Sequence, residues 1–585
     1  MAIEDIQQNS NERRKNSTAV APKPSFLVGE VQSPLWEITL TQLLQQQVLS
    51  NPSGECVIFP EYNYRKTYNQ LYQTTLEVAQ GLRAIGVVHG DRVGIFAGNI
   101  PAYVELFFAV SHVGAAYVVF NTTYTPKELQ SALQHSGCKA VFVATSIGKT
   151  QTNGILDMLS SSSRNSVLTE LKSVILLKDQ AGRNFDTYDH LREAGKRISK
   201  QELSSVMASN TAGSICNLQF TSGTTGTPKA AVLTHLNIIN NGRFVGDRMR
   251  LTSRDVICCP PPLFHCFGLV LGLVAVFTHG SCIVFPSETF QPASVLRAVA
   301  EERCTGLHGV PAMFSAELEL HKANLKSMDF SSLRTGIAAG SPVSKKMMAE
   351  LQEVFNLTEA TITYGMTETS PASFMSFTDD PLHKRLTTVG KILPHTKAKI
   401  VDVKGKVVPV GTRGELCVAG FQLQKGYWRN PKQTAEAMQT DDEGCLWMRT
   451  GDEAIFDDEG YCSITGRIKD IIIRGGENIF PLEIEERLGQ HKAIIQSSVV
   501  GLPDEKYGEA VCAFIQPRLS EQLPSAERLR DFVRQTLGWH KAPVHIFWLG
   551  EGEDFPKTAS GKIQKHILRK KGQQRLRCMA RTSKM

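Results

Sequence analysis

Nine consecutive residues, Thr221-Ser222-Gly223-Thr224-Thr225-Gly226-Thr227-Pro228-Lys229, gather hydroxyls, two glycines and a lysine in one short stretch. Glycines let a backbone turn tightly and point its N–H groups at an anion. The hydroxyls of Thr221, Ser222, Thr224 and Thr225 can donate to phosphate oxygens, and Lys229 adds a point charge. A Walker A loop would need four residues between its glycines and a lysine directly after the second. Here only Thr224 and Thr225 separate Gly223 from Gly226, and Thr227-Pro228 precede Lys229. The stretch reads as a phosphate cradle of another build, with a plain polar surface loop as the alternative.

This loop resembles the signature of the adenylate-forming superfamily: acyl-CoA synthetases, peptide-synthetase adenylation domains and beetle luciferases. Further segments match that family in its own order. Pro262-Leu263-Phe264-His265-Cys266-Phe267-Gly268 resembles the acyl-pocket segment. Gly336-Ile337-Ala338-Ala339-Gly340-Ser341-Pro342 and Tyr364-Gly365-Met366-Thr367-Glu368-Thr369 resemble the adenine and magnesium segments, and Thr450-Gly451-Asp452 the ribose segment. Gly466-Arg467-Ile468-Lys469-Asp470 is similar to the hinge, and Pro556-Lys557-Thr558-Ala559-Ser560-Gly561-Lys562 to the catalytic lysine loop. Within that family the resemblance points to the medium-chain acyl-CoA synthetase branch, including acyl-CoA ligases of fungal secondary metabolism. The resemblance implies ATP and Mg²⁺, with CoA as co-substrate.

Each segment also makes chemical sense by itself. Tyr364 offers a flat ring for an adenine, and the Gly340-Ser341-Pro342 backbone can close the other face. Glu368 is the hard oxygen ligand that Mg²⁺ takes alongside phosphates, and Thr367 can bond the α-phosphate. Asp452 can accept both hydroxyls of a ribose, and Arg467 can donate to the same sugar. Alone, either acid would be an ordinary solvated loop residue. Lys562 alone would be an exposed loop lysine; the resemblance makes it the cation that meets charge developing on the α-phosphoryl group and the attacking carboxylate. It can reach the site only if its domain folds over it. Lys469 matches the family's hinge position, and Arg474-Gly475-Gly476 resembles the turn that in the family borders the pantetheine tunnel, where glycines permit a slender chain to approach.

The acyl-pocket segment bears on substrate class. Peptide-synthetase adenylation domains place an Asp there to hold an α-amino group. This chain has His265, Cys266 and Phe267, and a buried ammonium without a counter-charge is costly, which argues against amino acids. His265 abuts the carboxylate in acyl-CoA synthetases; a satisfied core histidine is the alternative. Leu269, Val270, Val310, Met313 and Phe314 offer an apolar lining.

These residues need a scaffold, and the hydrophobic periods supply one. Tyr68, Leu71, Tyr72, Thr75, Ala79 and Leu82 step by three or four along one helix face. A short strand at Val93–Ala97 follows. Asn99 caps a helix with Pro101 in its first turn and a buried stripe of Val104, Phe107, Val110 and Val113. Strands recur at Ala116 to Phe120, Val141 to Val143, Val174 to Leu177 and Cys282 to Phe285. This rhythm argues for an α/β protein of parallel sheets covered by helices. After about residue 400, short strands with Gly and Asp turns dominate, giving a small β-barrel-like part. Beyond Gly466 a smaller, mobile α+β domain begins, with Ile471-Ile472-Ile473 as a strand and a helix from Pro481. The resulting organisation is a disordered leader at 1–34, a large adenylation domain at 35–466 and a hinge at 467–470. A small domain at 471–572 and a basic tail at 573–585 complete it.

With 585 residues, 42% hydrophobic and 21% charged, the chain is not mostly disordered. A net charge of +7 is too weak to argue for nucleic acid but suits anionic small molecules. The thirteen cysteines contain no C-x-x-C, so neither a zinc ribbon nor a disulfide framework is legible. The amino terminus lacks the apolar core of a secretory signal. The longest apolar run, Leu269 to Phe277, is too short to span a bilayer and reads as buried core. The last residues, Ser583-Lys584-Met585, are close to the Ser-Lys-Leu peroxisomal address, which predicts peroxisomal location and an import receptor as partner, with the cytoplasm as alternative. The reading is an ATP-dependent acid–CoA ligase acting on a fatty or related apolar acid. Its rivals are an enzyme that loads an acid onto a carrier protein in trans and a non-catalytic acyl-binding or uptake protein.

Overall fold

The computed structural model describes residues 22–160, 164–178, 183–221, 229–324, 328–340, 343, 345–518, 521–550, 552–558 and 563–582. Two sheets with parallel centres organise the large domain. The first contains β1 (Arg92–Phe96), β2 (Ala116–Val119), β3 (Ile215–Thr221) and β4 (Lys229–Thr234) among its seven strands. All its neighbours run parallel except β3 and β4, which are antiparallel. The second has nine strands, with β5 (Val256–Cys258), β6 (Thr335–Ala339) and β7 (Glu359–Gly365) in its parallel centre and antiparallel pairs toward its edges.

Helices connect and cover these strands. α1 (Tyr68–Ala84) opens with a capping box: the Gln70 N–H donates to Thr67 Oγ1 at 3.3 Å, and the Thr67 N–H donates to Gln70 Oε1 at 3.0 Å. α2 (Pro101–His112) has Ile100 at its N-cap. Asn99 does not cap it. Its side chain accepts from the Leu263 N–H at 2.8 Å and donates to the Pro261 carbonyl at 3.2 Å, so a distant loop outcompetes the local helix end. The expected stripe on α2 is also too narrow, since every residue from Tyr103 to His112 is buried. The apolar run Leu269–Phe277 is wholly buried, as expected; Phe267–Val274 is π-helical and passes into the helix Ala275–Thr278.

The barrel-like part is a six-stranded antiparallel sheet that includes β8 (Leu446–Phe456) and β9 (Cys462–Arg467). Its edge corrects the sequence reading. Phe26–Val28, placed in a disordered leader, pairs antiparallel with Lys397–Lys399. Three residues of strand carry too little periodicity to be read without their partner. Residues 1–21 lie outside the described residues.

A fourth sheet forms the small domain. It begins with β10 (Ile472–Arg474) and β11 (Glu477–Ile479), followed by α3 (Pro481–Gly489). The 3₁₀ turn Ile468–Asp470 lies between β9 and β10. The basic tail is corrected as well: α4 (Lys565–Thr582) is one helix that runs through residues 573–582. Arg575 pairs with Glu553 at 3.1 Å and Gly572 packs on Leu502, so the segment is anchored to the domain. No helix among the described residues is long and apolar enough to cross a membrane.

Candidate active site

β3 ends at Thr221 and β4 starts at Lys229, and these two residues face each other across the antiparallel pair, with the Thr221 hydroxyl 3.4 Å from the Lys229 carbonyl. The cradle is therefore the connection between two hydrogen-bonded strands. Ser222, Gly223, Thr224, Thr225 and Gly226 lie outside the described residues. Gln219 stands two residues before Thr221 and so shares its face of the strand. It is buried, and its Oε1 accepts from the Cys266 thiol at 3.0 Å.

Adjacent strands bring the nucleotide residues together. Ala339 pairs with Thr363, which sets Gly340 (φ +89°) and Tyr364 side by side at the ends of β6 and β7. Ser341 and Pro342 lie outside the described residues. The Tyr364 hydroxyl donates to Asp452 Oδ2 at 2.7 Å, and Arg467 Nε sits 3.0 Å from Asp452 Oδ1. Asp452 and Arg467 face each other across β8 and β9. Burial and then the Asp452 carboxylate hold the Tyr364 phenol well above its ordinary range. The ring expected to meet an adenine is thus fastened by the acid expected to meet the ribose.

Thr367 and Glu368 follow β7 in a single 3₁₀ turn. The Cys266 thiol is pushed up by burial and by nearby Glu368. Glu368 is buried, and its Oε1 accepts from the Tyr427 hydroxyl at 2.8 Å. Its carbonyl accepts from the Gln424 N–H at 2.9 Å. Lys229 Nζ stands 5.0 Å from the centroid of the Tyr427 ring. Tyr427, Gln424 and Gln219 were not singled out from sequence. The strand period could have found Gln219; no local pattern marks the other two.

The acyl-pocket segment is held by the two Asn99 hydrogen bonds described above. Gly268 is required by packing there, because a Cβ would fall 2.4 Å from the Pro262 carbonyl oxygen. Half-buried His265 accepts the Phe267 N–H at Nδ1, at 3.2 Å. Leu269, Val270, Val310 and Met313 share one core with Phe267. Phe314 does not join them; it packs in the other core with Leu318 and Phe355, because it leaves the helix Pro311–Asn324 about 100° around from Met313. His308, missed from sequence, lies 5.8 Å from Phe267 ring to ring. It spans Leu271 O at 3.3 Å and the Ile337 N–H at 3.2 Å, and burial lowers it to about 4.

In the small domain, Lys469 sits in the 3₁₀ turn, where partial burial and neighbouring Arg467 lower its ammonium below the ordinary lysine range. Arg474 donates to the His540 carbonyl at 2.9 Å and lies over Tyr507 and Trp539. Gly475 (φ +61°) and Gly476 (φ +88°) are the two-residue turn of the β10–β11 hairpin, which asks for positive φ at both positions. A Cβ on Gly476 would meet nothing within 4 Å, so among the described residues it is the turn, and no close neighbour, that explains that glycine. Lys562 lies outside the described residues. Lys557 and Ile563 on either side of it form an antiparallel bridge. The two domains meet where Arg413 pairs with Glu483 at 3.2 Å and lies over the Phe480 ring.

The family model described as AMP-binding enzyme matches residues 44–428, and that described as AMP-binding enzyme C-terminal domain matches residues 483–562. "Acyl-CoA ligase sidI" of Aspergillus fumigatus is 52% identical over 558 residues, covering 94% of each chain. "Medium-chain acyl-CoA ligase ACSF2, mitochondrial" of Danio rerio is 38% identical, covering 94% of this chain and 91% of its own. Among solved structures, ATP-bound MatB from Rhodopseudomonas palustris superposes with a TM-score of 0.77 at 26% identity, covering 91% of this chain and 99% of its own.

Proposed function

The chain belongs to the AMP-binding enzyme family and is an AMP-forming acid–CoA ligase, and we propose that it activates an apolar carboxylic acid in two half-reactions at the site described above. The observation that carries this reading is the convergence of Thr221 and Lys229, Gly340 and Tyr364, Glu368, and the Asp452–Arg467 pair, which come from three different sheets. In the first half-reaction the acid's carboxylate attacks the α-phosphorus of ATP, the bond to pyrophosphate breaks, and an acyl-adenylate forms. In the second, the CoA thiol attacks the acyl carbon and AMP leaves.

Each residue has a place in this scheme. Tyr364 presents its ring to the adenine while its hydroxyl orients Asp452 toward the ribose. Thr221 and Lys229 hold phosphate oxygens. Glu368 suits Mg²⁺: among the described residues its Oε2 makes no hydrogen bond or ion pair, and no larger cluster of metal ligands is present. A single carboxylate is the donor set of an ion that takes its other ligands from phosphates and water. Mg²⁺ bound there would neutralise phosphate charge. Lys562 meets the charge that develops on the α-phosphoryl group, then withdraws as the small domain turns about Lys469, and the Arg474 hairpin takes its place beside CoA.

An apolar acid is supported by the absence of an acidic residue between Phe264 and Gly268 and by the apolar residues packed around Phe267. A place in fungal secondary metabolism is supported by the fungal relative at 52% identity. Peroxisomal import through Ser583-Lys584-Met585 completes the reading. Pyrophosphate release from ATP with a panel of acids tests the first step, and CoA-dependent AMP release the second. No pyrophosphate with any acid would sink the substrate reading. An N-terminal fluorescent fusion should form puncta with a peroxisomal marker and become diffuse when the last three residues are removed; diffuse signal in the intact fusion refutes the address alone.

A further inference from the structure

The segment Gln424–Asn430 lies against β4. The Lys425 N–H donates to the Val232 carbonyl at 2.9 Å, the Val232 N–H to the Gly426 carbonyl at 3.0 Å, and the Trp428 N–H to the Ala230 carbonyl at 2.8 Å. It thereby becomes an added edge on the strand that carries Lys229. The Tyr427 N–H also donates to Thr434 Oγ1 at 2.9 Å, which fixes the residue from the other side. Tyr427 is only 8% exposed, and its side chain touches both charges of the phosphate site. The hydroxyl donates to Glu368 Oε1, and the ring face carries the Lys229 ammonium.

A carboxylate that must offer one oxygen to a cation gains from a fixed donor on the other, because the side chain then has one orientation. Hydrogen bonds to a charged group are among the strong ones. A cation over an aromatic face is attracted by the ring quadrupole without being neutralised, so it stays available to phosphate. Tyr427 meets both requirements at once.

We propose that Tyr427 is a positioning residue for adenylation: its hydroxyl holds Glu368 by Oε1 and leaves Oε2 for the metal ion, while its ring parks Lys229 beside the phosphate cradle. This rests on the reading of Glu368 as the Mg²⁺ ligand. The test is calorimetric titration of the full-length protein with ATP alone, in chelator and across a series of free Mg²⁺ concentrations. Tyr427→Phe keeps the ring and loses the hydroxyl. It should need about tenfold more Mg²⁺ to reach half of its full ATP affinity, with unchanged affinity in chelator. Tyr427→Leu, which also removes the ring, should weaken ATP binding in chelator as well. Tyr427→His restores an N–H donor and should recover part of the Mg²⁺ response, which a merely misfolded variant would not. In a Glu368→Gln background, Tyr427→Phe should add nothing. Superimposable Mg²⁺ curves for Tyr427→Phe and the parent, or full additivity with Glu368→Gln, overturn the proposal and leave the ligase reading standing. A parent protein whose ATP affinity ignores Mg²⁺ overturns both.

Discussion

Lys562 is expected to act as a cation, whereas burial keeps the Glu317 carboxyl neutral. Lys562→Ala should slow adenylate formation by roughly a hundred- to a thousandfold, the order seen when one key electrostatic group is lost. Thioester formation from preformed acyl-AMP should be largely spared. Equal loss in both steps with an altered circular dichroism spectrum would make the lysine structural. Glu317 is fully buried, and among the described residues neither carboxyl oxygen has a hydrogen-bond partner. Burial raises it from 4.5 to about 8, so the folded protein keeps the proton at neutral pH. The unfolded chain has already lost that proton. Glu317 therefore contributes stability that is present below its unfolded value and lost as pH rises through the folded one, at about 1.4 kcal/mol per unit. Urea denaturation of Glu317→Gln against the parent at pH 6 and pH 8 should show the difference moving in the variant's favour by about 2–3 kcal/mol. No movement would mean that Glu317 is ionised in the fold. At this scale the sequence singled out Asp452 and Glu368 by their place in the family's motif order, and the fold brings both to the end of β7. The sequence was silent on Tyr427 and wrong about Asn99, expected as a helix cap, because the roles of both depend on partners far away in the chain.

The β10–β11 hairpin separates two uses of glycine. If Gly475 and Gly476 serve the turn, Gly475→Asn should fold and run both half-reactions, because Asn tolerates the left-handed region. Gly476→Ala should cost about 1–2 kcal/mol in unfolding free energy by urea denaturation and leave the chemistry intact. A Gly475→Asn protein of normal stability that forms acyl-AMP but no thioester would restore the alternative, a narrow passage for CoA. Elements with ten or more periodic residues, such as α1, and continuous apolar strands, such as β1 and β2, were legible because each buries a face within its own length. Phe26–Val28 and the end of α4 were not. The first is a strand only by virtue of its partner, and the second is a basic helix whose order comes from Glu553 and Leu502.

Three buried imidazoles tie together parts of the whole molecule that lie far apart in sequence. His112 bonds Thr41 and Thr75, His235 accepts from the Leu40 N–H, and His308 joins Leu271 to Ile337. Burial lowers His112 and His235 from 6.5 to about 3 and His308 to about 4. The unfolded chain takes up these protons first. The stability they contribute is present above pH 6.5 and is lost as pH falls toward 4, at about 1.4 kcal/mol per unit for each histidine. The urea midpoint should fall steeply between pH 6 and pH 4.5, and a flat profile over that range would contradict the neutral assignment.

The pairing of Phe26–Val28 with Lys397–Lys399 also sets a clock on biosynthesis. The partner strand leaves the ribosome roughly 370 residues after the first, which at about 5–20 residues per second is a wait of some 20–75 seconds. Throughout that interval the early segment is an unsatisfied sheet edge on a nascent chain, open to improper pairing with other polypeptides. Phe26–Val28 thus waits for a partner made far later, and a chaperone that shields it would raise the share of newly made polypeptide that becomes enzyme.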